Sequence, residues 1–80
     1  MKVLYTPQFK RSLRGFPGVV RRKFYKQLGL LLGGIRHPSL HAKKYDESRN
    51  LWQARVDKSI RFYFVIEGDY YYLINIRKHK

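Results

Sequence analysis

The spacing of apolar residues changes near residue 40, and this change constrains the fold more than any other feature. Before it, apolar residues recur every three or four positions, at Val20, Phe24, Leu28, Leu31 and Leu32. After it, apolar and polar residues alternate along residues 40–45, 52–56, 60–66 and 70–76. The first spacing is typical of an amphipathic helix, and the second of strands with one buried face. The chain is therefore expected to form helices first and a sheet afterwards.

Turn-forming residues divide the chain further. Residues 2–6 predict a short edge strand that Pro7 stops, and Pro7 also suits the first turn of a helix over residues 7–13 capped by Thr6. Gly33 and Gly34 end the second helix, and breaks fall at residues 46–50, 57–59 and 67–69. The predicted fold class is α+β, with two N-terminal helices packed on one face of a small antiparallel sheet. Residues 1–80 form a single domain in this prediction, because 80 residues leave no room for a second core.

The first long hairpin has a register that the sequence specifies. A three-residue loop at 57–59 pairs Val56 with Ile60, Ala54 with Phe62 and Trp52 with Phe64, so every large apolar residue shares one face. The same register sets Arg55 opposite Arg61 and Gln53 opposite Tyr63 on the other face. Like charges directly opposite each other on a sheet are destabilising, and a bound anion would relieve them.

The second hairpin is less constrained. A three-residue loop at 67–69 pairs Ile66 with Tyr70 and Phe64 with Tyr72, whereas a two-residue Gly68-Asp69 turn is also good hairpin chemistry. With the three-residue loop, Asn75 and Arg77 join the polar face. Arginine guanidinium groups suit phosphates and aromatic rings suit stacked bases, so this face is predicted to bind RNA.

The charge balance supports a polyanionic or acidic partner. Lys and Arg number 18 against 5 Asp and Glu, which gives a net charge of +13. Cysteine is absent, which excludes disulfides and thiolate metal sites, and the three histidines show no metal-ligand spacing. The expectation is a protein without metal or small-molecule cofactor. No apolar run resembles a membrane span or a signal core, so a soluble, cytoplasmic protein with no membrane contact is the default expectation.

Metal-free RNA cleavage requires three contributions. The ribose 2′-hydroxyl must lose a proton, the phosphorane charge must be stabilised, and the leaving oxygen must gain a proton. Arg55 and Arg61 are the candidates for charge stabilisation, and His79 is the candidate for proton transfer because imidazole titrates near neutrality. For His37 and His41 the sequence favours loop or surface roles.

Five segments, in this order, resemble the RelE/ParE superfamily of toxins: residues 37–40 (HPSL), 43–45 (KKY), 51–56 (LWQARV), 59–62 (SIRF) and 74–79 (INIRKH). The resemblance covers essentially the whole chain and is strongest from His37 onward. It implies two helices on a small sheet and, as activity, ribosome-dependent cleavage of messenger RNA without a metal. The family's basic positions fall on Lys44, Arg55 and Arg61, and the histidine of some branches matches His79. Gln53 stands where the family has a further lysine.

The resulting hypothesis is a messenger-RNA endonuclease toxin of a type II toxin–antitoxin system. Its catalytic candidates are Arg61, His79 and Arg55, and its RNA-binding candidates are Lys43, Lys44, Gln53, Tyr63, Arg77 and Lys78. The expected partners are messenger RNA on the ribosome and a cognate antitoxin that masks the basic face. Two alternatives stay open, namely a non-catalytic RNA-binding module or inactive remnant, and a gyrase inhibitor of the ParE branch.

Overall fold

Two helices precede most of a five-stranded sheet in the computed structural model, which describes residues 1–79. The elements are β1 (Lys2–Tyr5), α1 (Pro7–Arg14), α2 (Gly18–Gly33), a 3₁₀ turn (Pro38–Leu40), β2 (Lys43–Asp46), β3 (Leu51–Arg55), β4 (Ile60–Glu67) and β5 (Tyr70–Lys78). The predicted α+β fold is confirmed. Neither helix within residues 1–79 has the length and apolar character needed to cross a membrane.

The helices begin and end where the sequence predicts. The Thr6 side chain accepts a hydrogen bond from the Phe9 amide at 3.2 Å, with Pro7 in the first turn of α1. At the end of α2, Gly34 adopts a φ of 153° and its amide donates to the carbonyls of Leu30 and Leu31. The buried apolar residues of the two helices are Phe9, Leu13, Val20, Phe24, Leu28 and Leu31.

The sheet has the strand order β1-β5-β4-β3-β2. All neighbours are antiparallel except β1 and β5, which are parallel; the sequence pattern did not predict this pairing. After β1, the Thr6 hydroxyl donates to the Leu73 carbonyl at 2.7 Å, and Ser12 of α1 donates to the Asn75 side chain at 2.9 Å. Helix α1 therefore continues along the part of β5 that β1 leaves uncovered.

The core lies between the helices and one face of the sheet, and aromatic rings fill its centre. Phe24 meets Phe62 edge-on at 5.3 Å between ring centroids, and Phe9 lies 5.1 Å from Phe24. The ring centroids of Phe62 and Phe64 are 5.7 Å apart. Aromatic pairs of this kind contribute about 0.5–1.5 kcal/mol each beyond the area they bury. These contacts stabilise the sheet from one side and leave its other side, the open face, without a helix.

The register predicted for β3 and β4 is confirmed. Arg55 pairs with Arg61, Gln53 with Tyr63 and Ala54 with Phe62. The Val56 amide donates to the Ile60 carbonyl at 2.9 Å, which closes the three-residue loop 57–59.

Between β4 and β5 the three-residue loop is wrong, and the two-residue turn that the sequence left open is the one observed. The hairpin closes through the two-residue Gly68-Asp69 turn, in which Gly68 has a φ of 55°, and it pairs Ile66 with Tyr71. A one-residue difference in register reverses the faces of a strand, so Tyr71 and Leu73 are buried in the core instead of Tyr72.

A bulge in β5 reverses the faces a second time. Phe64 pairs with Leu73 whereas Tyr63 pairs with Asn75, so Ile74 is an extra residue in β5. Beyond this bulge Ile76 is buried in the core and Arg77 pairs with Arg61. Arg77 therefore reaches the open face, as predicted, although the predicted register was one that needed no bulge.

The strand predicted to begin at residue 40 begins later in the structure. Leu40 is buried in the 3₁₀ turn rather than in a strand, and His41 follows it in a left-handed conformation with a φ of 46°. The edge strand β2 then starts at Lys43 and pairs with β3.

Candidate nucleic-acid interface

Two rows of polar residues cross the open face. Lys43, Gln53, Tyr63 and Asn75 are cross-strand neighbours in one row, and Arg55, Arg61 and Arg77 form the next. Directly opposed like charges destabilise a sheet by up to about 1 kcal/mol per pair. The three-arginine row therefore lowers the stability of the sheet. It also concentrates positive charge at the end of the sheet near loop 57–59.

Arg61 is held in place by backbone carbonyls. Its side chain is 7% exposed, and its Nη1 donates to the carbonyls of Asp57 at 2.8 Å, Lys58 at 3.1 Å and Ile60 at 3.2 Å. Within residues 1–79 no carboxylate forms an ion pair with it. Arg61 is thus a buried cation whose position is fixed and whose charge is not neutralised by an acidic side chain.

Asp57 shapes the loop that holds Arg61. Its Oδ1 accepts hydrogen bonds from the amides of Ser59 at 2.8 Å and Ile60 at 2.9 Å, and Lys23 of α2 lies 3.4 Å from its Oδ2. Partial burial opposes ionisation, but these amide hydrogen bonds and Lys23 outweigh it and hold the pKa of Asp57 below its ordinary value. The loop is therefore organised around an ionised carboxylate.

A cleft of about 410 Å³ opens at the arginine row, and we call it the central cleft. Its lining brings together five residues that the sequence analysis selected, namely Lys43, Gln53, Arg55, Arg61 and His79, together with His41 and Ala42. Gln53 is 6% exposed, and its Oε1 is buried without a hydrogen-bond partner among residues 1–79. An unsatisfied acceptor of this kind costs about 1–3 kcal/mol, so a ligand that donates a hydrogen bond here would recover that cost.

An aromatic cleft of about 370 Å³ adjoins the central cleft and is lined by Tyr45, Tyr63, Arg77, Lys78 and His79. The Arg77 guanidinium lies 4.8 Å above the Tyr63 ring and donates to the Tyr45 hydroxyl at 3.2 Å. The hydroxyls of Tyr63 and then Tyr45 raise the pKa of Arg77 above its ordinary value. Tyr63 is only 3% exposed, whereas Tyr45 is 47% exposed. Tyr45 therefore offers the ring that is free to stack on a base, and the Tyr63 ring supports Arg77.

His79 joins these two clefts. Its amide donates to the Ser59 carbonyl at 2.6 Å, which attaches the end of β5 to loop 57–59. The exposed His79 side chain lines both the aromatic cleft and the central cleft. Proton transfer by His79 stays a prediction, but its side chain lies beside the arginine row.

A third cleft, of about 400 Å³, continues from the central cleft toward α2. It shares His41 and Arg55 with the central cleft and adds Lys23, Lys26 and Lys58. The three clefts are thus consecutive, and we call their Lys and Arg side chains the cationic track: Arg77, Lys78, Arg61, Arg55, Lys43, Lys23, Lys26 and Lys58. The basic outer face of α2 contributes to this track through Lys23 and Lys26.

One sequence-selected residue, Lys44, lies on the other face of the sheet. Lys44 pairs with Trp52 on the helix side of the sheet, where its Nζ lies 5.4 Å from the Trp52 ring and 3.9 Å from Glu47. Lys44 is therefore not part of the central cleft, because residues alternate between faces along β2. Asn75 lies in the polar row, as predicted, and its side-chain oxygen accepts a hydrogen bond from the Ser12 hydroxyl of α1.

His41 lines the central cleft, although the sequence favoured only a loop or surface role for it. Its position two residues before Lys43, on the same side of the alternation, was the available signal. The structure places it in the central cleft as well as the third cleft. Among residues 1–79 there is no group of three or more His, Asp or Glu side chains arranged to hold a metal ion.

The chain is similar to solved structures of toxins. A YoeB/ParE toxin from Agrobacterium tumefaciens matches with a TM-score of 0.80 at 14% identity, over 100% of both chains. The chain has the fold of the RelE/ParE-type toxins. The YoeB dimer from Staphylococcus aureus shares this fold with a TM-score of 0.80 at 12% identity, over 100% of this chain and 98% of that one.

An archaeal RelE of the same fold was solved as a RelE-RelB complex from Pyrococcus horikoshii. It matches with a TM-score of 0.79 at 15% identity, over 96% of this chain and 92% of that one. At the level of sequence, neither a protein-family model nor a curated protein matches the chain.

Proposed function

We propose that the protein is a ribosome-dependent endoribonuclease toxin of a type II toxin–antitoxin system, which inhibits translation in the cytoplasm by cleaving messenger RNA without a metal. The observation that carries this proposal is the central cleft of a RelE-type fold. Arg55, Arg61, Gln53 and His79 converge there on the one sheet face that no helix covers.

The cleft chemistry supports RNA rather than a small anion. Arg55 and Arg61 stabilise the charge that develops on a phosphorane, and the fixed position of Arg61 means that little reorganisation is needed during the reaction. Tyr45 offers a stacking surface and Gln53 an acceptor for a ribose or base donor. The cationic track extends beyond one phosphate, as a strand of nucleotides requires.

The antitoxin partner is proposed from charge and from an apolar row. The net charge of +13 favours an acidic partner. Leu51, Val65, Tyr72 and Leu4 are successive cross-strand neighbours on the open face, at the far end from loop 57–59, and Leu4 is 43% exposed. An acidic polypeptide that covers both this row and the cationic track would mask the nuclease cleft.

The decisive experiment is cleavage of a reporter messenger RNA in a translating extract. The parent, Arg61→Ala and His79→Ala are compared, with Lys44→Ala as the matched control because Lys44 lies on the opposite face of the sheet. The parent and the control are expected to cut, whereas the two cleft variants lose most of the activity. Equal cutting by all four proteins would refute the site.

The same protein preparations distinguish the alternatives. Tight RNA binding without cleavage, weakening steeply as salt rises, would indicate a non-catalytic RNA-binding module. Inhibition of DNA supercoiling by gyrase with messenger RNA left intact would indicate the activity of the ParE branch.

A further inference from the structure

Two histidines, not one, line the central cleft. His41 enters it from the segment between the 3₁₀ turn and β2, and His79 enters from the end of β5, with Arg55 and Arg61 in the same lining. We propose that His41 and His79 act as a pair, one as general base and the other as general acid, in cleavage of RNA within the central cleft. This inference rests on the proposed function and adds a catalytic residue to it.

The other side chains of the central cleft do not supply a base at neutral pH. Arginine and lysine ordinarily remain protonated far above pH 7, and the amide of Gln53 and the methyl group of Ala42 do not titrate. No carboxylate lines this cleft within residues 1–79. The pair His41 and His79 therefore contains the only cleft groups that ordinarily exchange a proton near neutrality.

The backbone at His41 is unusual in a way that fits a site role. Its φ of 46° is a left-handed conformation that few residues other than glycine adopt, although histidine, asparagine and aspartate tolerate it. The His41 amide donates to the Pro38 carbonyl at 3.3 Å, which closes the 3₁₀ turn, and Leu40 just before it is buried in the core. The core thus anchors the turn from which the exposed His41 lines the cleft, at some cost in backbone energy.

The reaction balances with these two groups alone. The neutral imidazole takes the proton of the ribose 2′-hydroxyl, and the 2′-oxygen forms a bond to the adjacent phosphorus. The bond between phosphorus and the 5′-oxygen breaks, and the imidazolium of the second histidine gives its proton to that oxygen. The products are a 2′,3′-cyclic phosphate and a 5′-hydroxyl, and Arg55 and Arg61 stabilise the negative charge on the phosphoryl oxygens between these steps.

The groups around His41 are nearly all cations. Within the central cleft it faces Lys43, Arg55, Arg61 and His79. In the third cleft it faces Lys23, Lys26, Lys58 and the single carboxylate of Asp57. A bound RNA phosphate offsets part of this positive field, so the acid–base behaviour of the pair belongs to the RNA complex and must be measured there.

The first test compares His41→Asn with His37→Asn on ribosomes carrying a short synthetic messenger. Asparagine tolerates the left-handed backbone at position 41. At position 37 it keeps the acceptor for the Ser39 amide, which His37 Nδ1 provides at 3.1 Å, and His37 does not line the central cleft. Loss of one proton-transfer group is expected to lower cleavage about 10²–10⁴-fold in His41→Asn, and His37→Asn should match the parent. Thermal melts verify that both variants fold.

The second test identifies the acid. A messenger whose scissile 5′-oxygen is replaced by sulfur has a leaving group that needs no proton. It should restore cleavage in one of the two variants His41→Asn and His79→Asn, whereas the other stays inactive. Restoration of both variants or of neither would overturn the pair. For the parent, cleavage should follow a bell-shaped pH profile on the oxygen substrate, and each variant should lose one limb.

The two levels of inference fail in different ways. A folded His41→Asn that cleaves as fast as the parent overturns the role of His41 and leaves the proposed function standing. A parent that does not cleave messenger on ribosomes overturns the proposed function and, with it, the histidine pair.

Discussion

Arg55 and Arg61 occupy the same row, yet their surroundings differ. Arg61 is buried and donates to three carbonyls of its own loop, whereas Arg55 is half-buried and its side chain forms no hydrogen bond within residues 1–79. Arg61→Ala should therefore lower both stability and activity, with a loss of about 1–3 kcal/mol in the free energy of unfolding. In a domain of this size each kcal/mol corresponds to about 4–8 °C in melting temperature.

Arg55→Ala is the comparison that separates the two roles. Its removal relieves a like-charge pair, so the melting temperature should stay the same or rise slightly while RNA affinity falls. Differential scanning calorimetry and fluorescence anisotropy on a 2′-O-methyl RNA measure the two quantities. A large loss of stability in Arg55→Ala with unchanged RNA affinity would show that the assigned roles are reversed.

Replacing Gln53 should raise the stability of the protein and lower its affinity for RNA. Gln53→Met keeps the volume of the side chain but removes the buried oxygen that lacks a partner. Stability is therefore expected to rise by about 1 kcal/mol, while RNA affinity falls by up to about tenfold, the value of one hydrogen bond. A Met variant that is less stable than the parent and binds RNA equally well would mean that Gln53 has a structural role only.

At the scale of elements, loop 57–59 should make stability depend on pH in acid. The folded-state pKa of Asp57 lies below its ordinary value of 3.8, so the carboxylate contributes stability above that pH and loses it as pH falls through the lower folded value. Asp57→Asn should melt below the parent at pH 7, and the two melting curves should converge between pH 4 and pH 2 (roughly the range where such a carboxylate titrates). Asp69→Asn, whose carboxylate makes no hydrogen bond within residues 1–79, is the control and should stay parallel to the parent.

The two hairpins show how far the fold is predictable from the sequence. Between β3 and β4, any register other than the observed one moves large apolar residues off the core face, so alternation alone determines the pairing. Between β4 and β5, tyrosines stand at both Tyr71 and Tyr72 and suit either face, so alternation does not decide. The bulge at Ile74 arises in the folded sheet, and no pattern of residues in the sequence predicts it. The parallel pairing of β1 with β5 is likewise non-local.

The candidate site was predictable where it follows from β3 and β4. Arg55, Arg61 and Gln53 come together because their register was predictable. Arg77 and His79 join them only through the bulge and the hydrogen bond between His79 and Ser59. His41 was not found, because its place in the cleft depends on a left-handed residue after a 3₁₀ turn, whereas the sequence predicted a straight strand. Lys44 was assigned from the family pattern, although the alternation along β2 sets it opposite to Lys43.

At the scale of the whole molecule, part of the net charge of +13 lies along one path across the surface, the cationic track. His79 links the aromatic cleft to the central cleft, and His41 and Arg55 link the central cleft to the third cleft. The cations of these clefts come from α2, four strands and loop 57–59. A path of this kind fits one strand of RNA that crosses the surface of the protein, with Tyr45 at one end of the path and Lys26 at the other. The remaining cations, such as Arg11 on α1, lie outside these clefts and serve as internal controls for charge alone.

The salt dependence of RNA binding tests this path. For single-stranded nucleic acid, each phosphate contact adds about 0.7 to the steepness of log affinity against log salt concentration. Lys26→Ala and Lys58→Ala should each reduce the slope by about that amount, whereas Arg11→Ala should leave it unchanged despite removing the same charge. Titrations with a 2′-O-methyl RNA at four salt concentrations measure the slopes without cleavage. If Arg11→Ala reduces the slope as much as the two cleft variants, net charge rather than the cationic track governs binding, and the RNA path must be sought elsewhere on the surface.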